Sequence, residues 1–311
     1  MAGFDATVAI TTKDRRDELR RALESALAQR GAAIEVLVVD DGSSDGTSAM
    51  VSSEFPGVRL VSHDASRGLI GRRNEATALA RGPIVVHLDD DAVLSSDDTV
   101  RVTLAEFDDP QVGAVAIPYV DVLHGPQVHQ QAPAPGIWAV DTFRGTAHAL
   151  RREVFLALGG FREDLESHVE EPEYCLRLLD AGFVVRLGNA TPIRHYDSPR
   201  RSPARNQHRI WRNNLVRAWS LVPLPWLPGR VAKIVVAGFL AGRREGRLRA
   251  TAAGLASGLS RAPAELLRHR HPVARPTYRI ERRLRYAGPL PLSEIRAELP
   301  SPARPVPSEE P

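Results

Sequence analysis

Pro83-Ile84-Val85-Val86-His87-Leu88-Asp89-Asp90-Asp91 is the stretch that decides the fold, a short apolar run that breaks into three consecutive acids. Its length and β-branched content read as a buried strand. A second run, Ile34 to Val39, ends the same way in Asp40-Asp41-Gly42-Ser43. In open α/β sheets, ligands bind outside the carboxyl ends of parallel strands, so two acidic strand ends predict one crevice rather than two surface patches. Carboxylates packed that closely repel one another unless a hard cation lies between them. Mg²⁺ or Mn²⁺, held by one or two carboxylates plus substrate phosphates, meets that requirement. The pattern therefore predicts a site for a metal and a nucleoside diphosphate compound.

The neighbouring elements agree. Thr7 to Thr12 reads as a first strand, and Leu19, Ala22, Leu23, Ala26 and Leu27 recur at helical spacing before Gly31. A helix around Thr47–Glu54, a strand at Val58–Ser62 and a helix around Gly71–Ala80 complete a βαβαβαβ series. The right-handed crossover rule folds such a series into one open sheet. Past a helix at Asp97–Phe107, extended segments at Val112–Val120 and Val140–Leu150 flank a Pro-, Gly-, Gln- and His-rich stretch from Gly125 to Gly136, long enough to be a lid or binding loop. Helices at Glu153–Leu158 and Pro172–Ala181 and short strands near Phe183–Leu187 and Pro192–Tyr196 follow. From Asn206 the chain is helical and basic, with an apolar stripe of Leu248, Ala252, Leu255 and Leu259. Pro300 to Pro311 is a Pro-rich tail expected to be disordered.

At 311 residues with 43% hydrophobic and 25% charged residues, the chain has the composition of a globular protein. Cys175, the single cysteine, cannot form an internal disulfide and sits on the apolar side of a helix, as a structural thiol does. The first strand starts too early to leave room for a signal peptide, and Ile234 to Gly242 is too short to span a bilayer, so cytoplasmic residence is expected. The net charge of +3 hides an imbalance, because Glu245 is the only acid between Arg200 and Arg249. Such a block attracts anions, but it carries no nucleic-acid-binding module, and no nucleic-acid partner is expected.

Taken in order, the motifs resemble the inverting glycosyltransferases of family 2. They are Ile10-Thr11-Thr12-Lys13-Asp14-Arg15, Val38 to Thr47, Arg67 to Asn74, Leu88-Asp89-Asp90-Asp91, Gly145-Thr146-Ala147, Gly159-Gly160-Phe161, Glu170-Glu171 and Arg177. The resemblance covers roughly residues 5–200 and implies a GT-A fold: an α/β, Rossmann-like, mostly parallel open sheet flanked by helices, here with a helical basic C-terminal extension. It implies a catalytic domain over residues 1–205, with a nucleotide-binding half to about 110 and an acceptor-binding half beyond. The extension would cover 206–299 and the tail 300–311. It also implies Thr11 and Arg15 beside the nucleotide, Asp40 on the edge of the base, and Asp89 and Asp91 as the D-x-D pair on the metal, with Asp90 between them on the donor side. Gly68, Arg72, Arg73 and Asn74 would face the donor phosphates or sugar. The ordinary alternatives are an Asx turn at Asp40 and Asp41, a strand end at the three acids, and solvated arginines.

Inverting transfer needs a carboxylate that takes the acceptor hydroxyl proton during in-line attack. The resemblance assigns that role to the Glu170-Glu171 pair. Where the family commonly has Glu-Asp, this chain has Glu-Glu-Pro-Glu, which points to Glu171, with Glu170 as the other candidate. Pro172 at a first helical turn would put Glu171 near the N-cap, where the helix dipole favours its ionised form. His195 resembles the histidine that GT-A enzymes place beside the metal, and imidazole suits Mn²⁺ better than Mg²⁺. Arg194, Arg200 and Arg201 are candidates for the diphosphate.

The acceptor, a sugar, a lipid-linked sugar or a small molecule, is expected near Gly125–Gly136 and Trp138. The arginines and apolar residues of Gly229–Arg261 fit either an interfacial helix on anionic lipid or an ordinary packed helix. Two rival functions are a nucleotidyltransferase, which would be expected to show a glycine-rich loop where Thr11 to Arg15 stands, and a non-catalytic sugar-nucleotide-binding protein, opposed by the joint presence of Asp89, Asp91 and Glu171.

Overall fold

The computed structural model describes residues 3–196 and 202–302. Strand β1 (Ala6–Thr12) is buried along its whole length, as a strand covered on both faces must be. Helix α1 (Arg16–Leu27), β2 (Ile34–Asp40), α2 (Thr47–Glu54), β3 (Arg59–Ser62), α3 (Leu69–Leu79) and β4 (Ile84–Asp89) follow. The order β4-β1-β2-β3 is parallel throughout. Thr12 pairs with Asp40, and Thr11 with Asp89, so the two acidic ends lie level on either side of β1.

Beyond β5 (Ala92–Val93) and α4 (Thr99–Ala105), the expected Val112–Val120 strand divides into β6 (Val112–Ala116) and β7 (Tyr119–Asp121). Pro118 stands between them and cannot donate to a ladder. There the chain leaves the main sheet for a small one of order β5-β12-β7-β8. Its β8 (Val128–His129) lies within the expected loop, which Gln130 pins by donating to Ile117 O at 2.8 Å. The expected Val140–Leu150 strand divides likewise into β9 (Trp138–Val140) and β10 (Ala147–Arg151).

Helix α5 (Arg152–Ala157), α6 (Glu170–Asp180), β11 (Val184–Leu187) and β12 (Ile193–His195) complete the first two thirds of the chain. Then come α7 (Pro203–Leu221), α8 (Leu227–Arg244), α9 (Leu248–Ser260), α10 (Ala262–Arg268), α11 (Arg275–Ala287), β13 (Leu290–Pro291) and α12 (Leu292–Ile295). The nine-stranded sheet runs β13-β9-β11-β6-β10-β4-β1-β2-β3, a parallel block continued into a mixed half where β10 runs against β4 and β6.

The α9 stripe is buried only in part, because Leu255 is covered while Leu248 and Leu259 are exposed. Helix α9 instead approaches α7 through glycines. A Cβ on Gly254 would lie 2.3 Å from His208 O, and one on Gly258 would meet Leu215 at 2.8 Å. No helix among the described residues is long and apolar enough to cross a membrane. Arg200 and Arg201, and the tail from residue 303, lie outside the described residues.

Candidate active site

Strand β4 ends at Asp89, and the chain turns through Asp90 and Asp91 directly into β5. Strand β12 pairs His195 with Ala92 on one side and with Asp121 of β7 on the other, while Tyr196 N donates to Asp91 O at 2.8 Å. That small sheet delivers His195 to the acids. Ligand atoms of Asp89, Asp91 and His195 all lie within 4.8 Å of one another, the only such group of three among the described residues. His195 Nε2 is 3.3 Å from Asp91 Oδ1, and its Nδ1 is hydrogen-bonded to Asp121 Oδ1 at 2.5 Å. Burial opposes protonation of this ring, but Asp91 and Asp121 outweigh it and push His195 up to about 9. Two carboxylate oxygens and one imidazole nitrogen backed by a further carboxylate form a donor set that fits Mn²⁺, with Asp121 orienting the ring.

Asp90 turns the other way. Thr12 Oγ1 donates to it at 2.9 Å, and Arg15 binds both Asp90 and Asp91 at 2.7 Å. Burial pushes Asp90 up to about 7 against the pull of Arg15. Thr11, at the end of β1, is buried beside this group. Arg15 therefore ties Asp90 and Asp91 together.

The Asp40–Asp41 turn is internally satisfied. Asp40 accepts from Ser43 N at 3.0 Å, Ser43 Oγ at 2.5 Å and Ser48 Oγ at 2.5 Å, and it is only 2% exposed. Asp41 accepts from Ser66 Oγ, Arg67 N, Gly68 N and Arg72 Nε. Burial works against its ionisation, and these donors together hold it below the usual carboxylate range. Gly68 caps α3 at φ 88°, a backbone few other residues adopt.

Arg72, expected to face the donor, is instead committed to Asp41, Glu75 Oε2 at 2.8 Å and Ala65 O at 2.7 Å. Asn74, also expected there, grips the backbone of Phe161 with both amide atoms, Nδ2 to O at 2.8 Å and Oδ1 from N at 2.9 Å. Arg177 fastens the same turn from α6 through Leu158 O and Gly160 O. These motif residues act as a lock between elements.

Arg73 joins the two halves of the site. It is 3% exposed, donates to Asp89 Oδ1 at 2.5 Å and lies 3.9 Å from Glu170 Oε1. Gly145 makes room for this: a Cβ there would meet Arg73 Nη1 at 2.6 Å and Glu171 Oε1 at 2.7 Å. Behind it, His87 stacks on His148, and His148 on Phe143. Burial, then the Arg73 charge, pushes His87 down to about 3, which keeps it neutral.

Helix α6 begins at Glu170, two residues earlier than Pro172 suggests, because Val169 caps it in a left-handed conformation. Glu171 is therefore the second residue of the first turn, still near the cap. Burial raises both glutamates above the usual carboxylate range, Glu170 also through repulsion by Glu171, while Arg73 opposes the rise. The dipole argument for an ionised Glu171 is thus outweighed by burial. Glu170 is nearly inaccessible and its Oε2 has no hydrogen-bond partner among the described residues, whereas Glu171 is half-buried. Burial also pushes the Cys175 thiol up to about 12, consistent with a structural role.

Asp121 is absent from the sequence reading. Only the parallel register of β7 with β12 brings it to His195, and no local signal marks it. Residues 7–162 match the family model described as glycosyl transferase family 2. The succinoglycan biosynthesis protein ExoO of Rhizobium meliloti is 46% identical over 98 residues, which cover 31% of this chain and 26% of that one, so the chain matches about a quarter of this relative. The mannosyltransferase PcManGT from Pyrobaculum calidifontis, solved with GDP-Man and Mn²⁺, superposes with TM-score 0.56 at 24% identity over 92% of this chain and 85% of that one. S. aureus TarS 1–349 in complex with UDP-GlcNAc superposes with TM-score 0.62 at 16% identity, over 94% and 90%. Both likenesses are of fold.

Proposed function

This chain belongs to glycosyl transferase family 2, and from that premise we propose that it moves a sugar from a nucleoside-diphosphate-sugar donor to an acceptor hydroxyl with inversion, with a divalent cation and with Glu171 as the general base. The observation that carries the reading is the meeting of Asp89, Asp91 and His195 on one side of Arg73 with Glu170 and Glu171 on the other.

Asp89, Asp91 and His195 would hold Mn²⁺ or Mg²⁺, Mn²⁺ being favoured by the imidazole. When bound, the cation supplies positive charge against the diphosphate that leaves. Thr11, Arg15 and Asp90 line the nucleotide side. Asp40 reads the base edge through Oδ2, which accepts only from Ser48 Oγ among the hydrogen bonds of the described residues. Gly68, Arg72 and Asn74 shape that wall from behind.

Glu171 Oε accepts the acceptor's hydroxyl proton while that oxygen forms the new bond to the anomeric carbon and the bond to the diphosphate oxygen breaks. Its raised proton affinity suits a base working near neutral pH. Arg73 restrains that rise and keeps the carboxylate turned toward Gly145. Burial and repulsion by Glu171 favour the protonated form of Glu170, which leaves Glu171 as the member of the pair that takes the proton. Glu171→Gln is expected to keep donor binding in a thermal-shift titration with UDP-GlcNAc or GDP-mannose plus Mn²⁺ and to lose transfer. Near-normal turnover in that variant would remove Glu171 from the mechanism.

The same reading assigns residues 1–205 to catalysis, the nucleotide side to about 110 and the acceptor side beyond, and 206–299 to a helical extension that returns β13 to the sheet. The acceptor is a sugar, lipid-linked or free, or a small molecule approaching from the Gly125–Gly136 side. On α8, Val236, Phe239 and Leu240 are exposed, the last two at 52% and 65%, between Lys233 and the pair Arg243 and Arg244. An apolar strip with basic ends fits peripheral contact with anionic lipid on the cytoplasmic side.

A further inference from the structure

The loop leading into Glu170 and Glu171 holds three non-glycine residues in the left-handed region: Glu166 at φ 63°, His168 at 66° and Val169 at 73°. Few non-glycine residues sit there, and a β-branched one is an outlier that persists only where its surroundings over-determine it. Here those surroundings are one face of α7.

Asn213, with no exposed surface, shares the two protons of Nδ2 among Leu165 O at 2.8 Å, Ser167 O at 2.9 Å and His168 O at 2.8 Å. Its Oδ1 accepts from Arg212 Nε at 2.8 Å. Arg212 donates in turn to Leu165 O at 2.9 Å and binds Glu166 Oε1 at 2.9 Å. Arg209 takes the other Glu166 oxygen at 2.6 Å and Ser167 Oγ at 3.1 Å. One turn further along, Arg217 donates to Pro172 O, in the first turn of α6, at 3.0 Å. Three consecutive turns of one helix thus seize the backbone on both sides of the two glutamates, and all of these residues lie beyond the stretch that matches the family model.

We propose that α7 is a positioning clamp for the general base, with Asn213 holding the loop on its left-handed path so that Glu171 enters α6 beside Gly145 and Arg73. The inference rests on Glu171 being the base. Released from Asn213, the loop relaxes toward ordinary backbone conformations, the start of α6 shifts, and the carboxylate leaves its place. A misplacement of about 1 Å costs on the order of 100-fold in rate. The metal residues stand at the end of β4, in the turn after it and on β12, with Thr11 on β1 and Arg15 at the head of α1, all outside the 165–169 loop.

The test uses the full chain with Mn²⁺ and whichever of UDP-GlcNAc or GDP-mannose shifts the wild-type melting temperature more, reading release of nucleoside diphosphate. Asn213→Ala is expected to lower kcat by about 10- to 100-fold and to leave the donor KM within about twofold. Adding Val169→Gly, which removes the backbone penalty at φ 73°, is expected to restore kcat at least about fivefold, a rescue that a merely structural role for Asn213 would not give. If Asn213→Ala fails to fold, Asn213→Asp, of the same shape without the amide donors, is held to the same criteria. The clamp is overturned by a kcat within about twofold of wild type, by a donor KM that rises as much as kcat falls, or by no rescue from Val169→Gly. Normal turnover in Glu171→Gln overturns the base assignment and the clamp with it; loss there beside normal turnover in Asn213→Ala overturns the clamp alone.

Discussion

Arg73→Met is the sharpest probe of the electrostatics that join the two halves of the site. The substitution keeps a flexible apolar stem and removes a buried cation lying between Asp89 and the Glu170–Glu171 pair. Breaking a buried ion pair by deleting one partner costs about 3–5 kcal/mol, because the remaining charge stays in low dielectric. Arg73 is 3% exposed and Glu170 2%, so solvent relieves little of that cost. At roughly 2–4 °C per kcal/mol for a large domain, the melting temperature should fall by roughly 6–20 °C.

The loss is pH-dependent, and its sign follows from the glutamates. Both already have folded-state pKa values above the usual range, and removing Arg73, which opposes that rise, lifts them further. A carboxyl whose folded pKa is raised contributes stability below its unfolded value and loses it as pH climbs through the folded value. The Asp89 pair is lost across the whole range, while the part due to the glutamates opens only as pH climbs past the folded value of about 8 at Glu170, so the deficit should be larger near pH 9.5 than near pH 6. Urea denaturation in EDTA at those two pH values measures it, with Arg73→Lys, which keeps the charge, expected to lose less. A deficit under about 1 kcal/mol at the higher pH, or one equal at both, would refute the reasoning.

Two further outcomes are expected. Asp91→Asn and His195→Ala should each weaken Mn²⁺ binding by about 10-fold or more in calorimetry, and Asp121→Asn by a smaller factor because it acts through the ring; unchanged affinity in all three would remove the cation site. The chain should float with phosphatidylglycerol vesicles and not with phosphatidylcholine ones, and Phe239→Ser with Leu240→Ser should abolish flotation. Failure of the wild-type chain to float, or flotation that survives the double substitution, dismisses α8 as the contact.

The strands that build the nucleotide side were legible because each is a local pattern: a continuous apolar run, a turn signal and a helix of 3.6-residue period. The acids at Asp40 and Asp89–Asp91 could be placed at strand ends for the same reason, since parallel β4-β1-β2 pairing leaves them level across β1. The break at Pro118 and the start of α6 at Glu170 are not legible locally. Both depend on partners elsewhere: a second sheet that takes the chain after Pro118, and α7, which stabilises a left-handed Val169 that local propensity disfavours.

The sequence by itself determined the class of protein and which residue types gather at the crevice, because periodicity and strand-end acids are carried by neighbours along the chain. Only the tertiary structure decided what each residue does there. Arg72 and Arg73 are adjacent and chemically alike, yet one locks the Asp41 turn while the other bridges Asp89 and the glutamates. Asp121 and Asn213 gain their roles from β7 lying beside β12 and α7 lying across the 165–168 backbone. Hydrogen bonds and charge interactions act through space over a few ångströms, and the separations that matter here are set by which distant segments pack together.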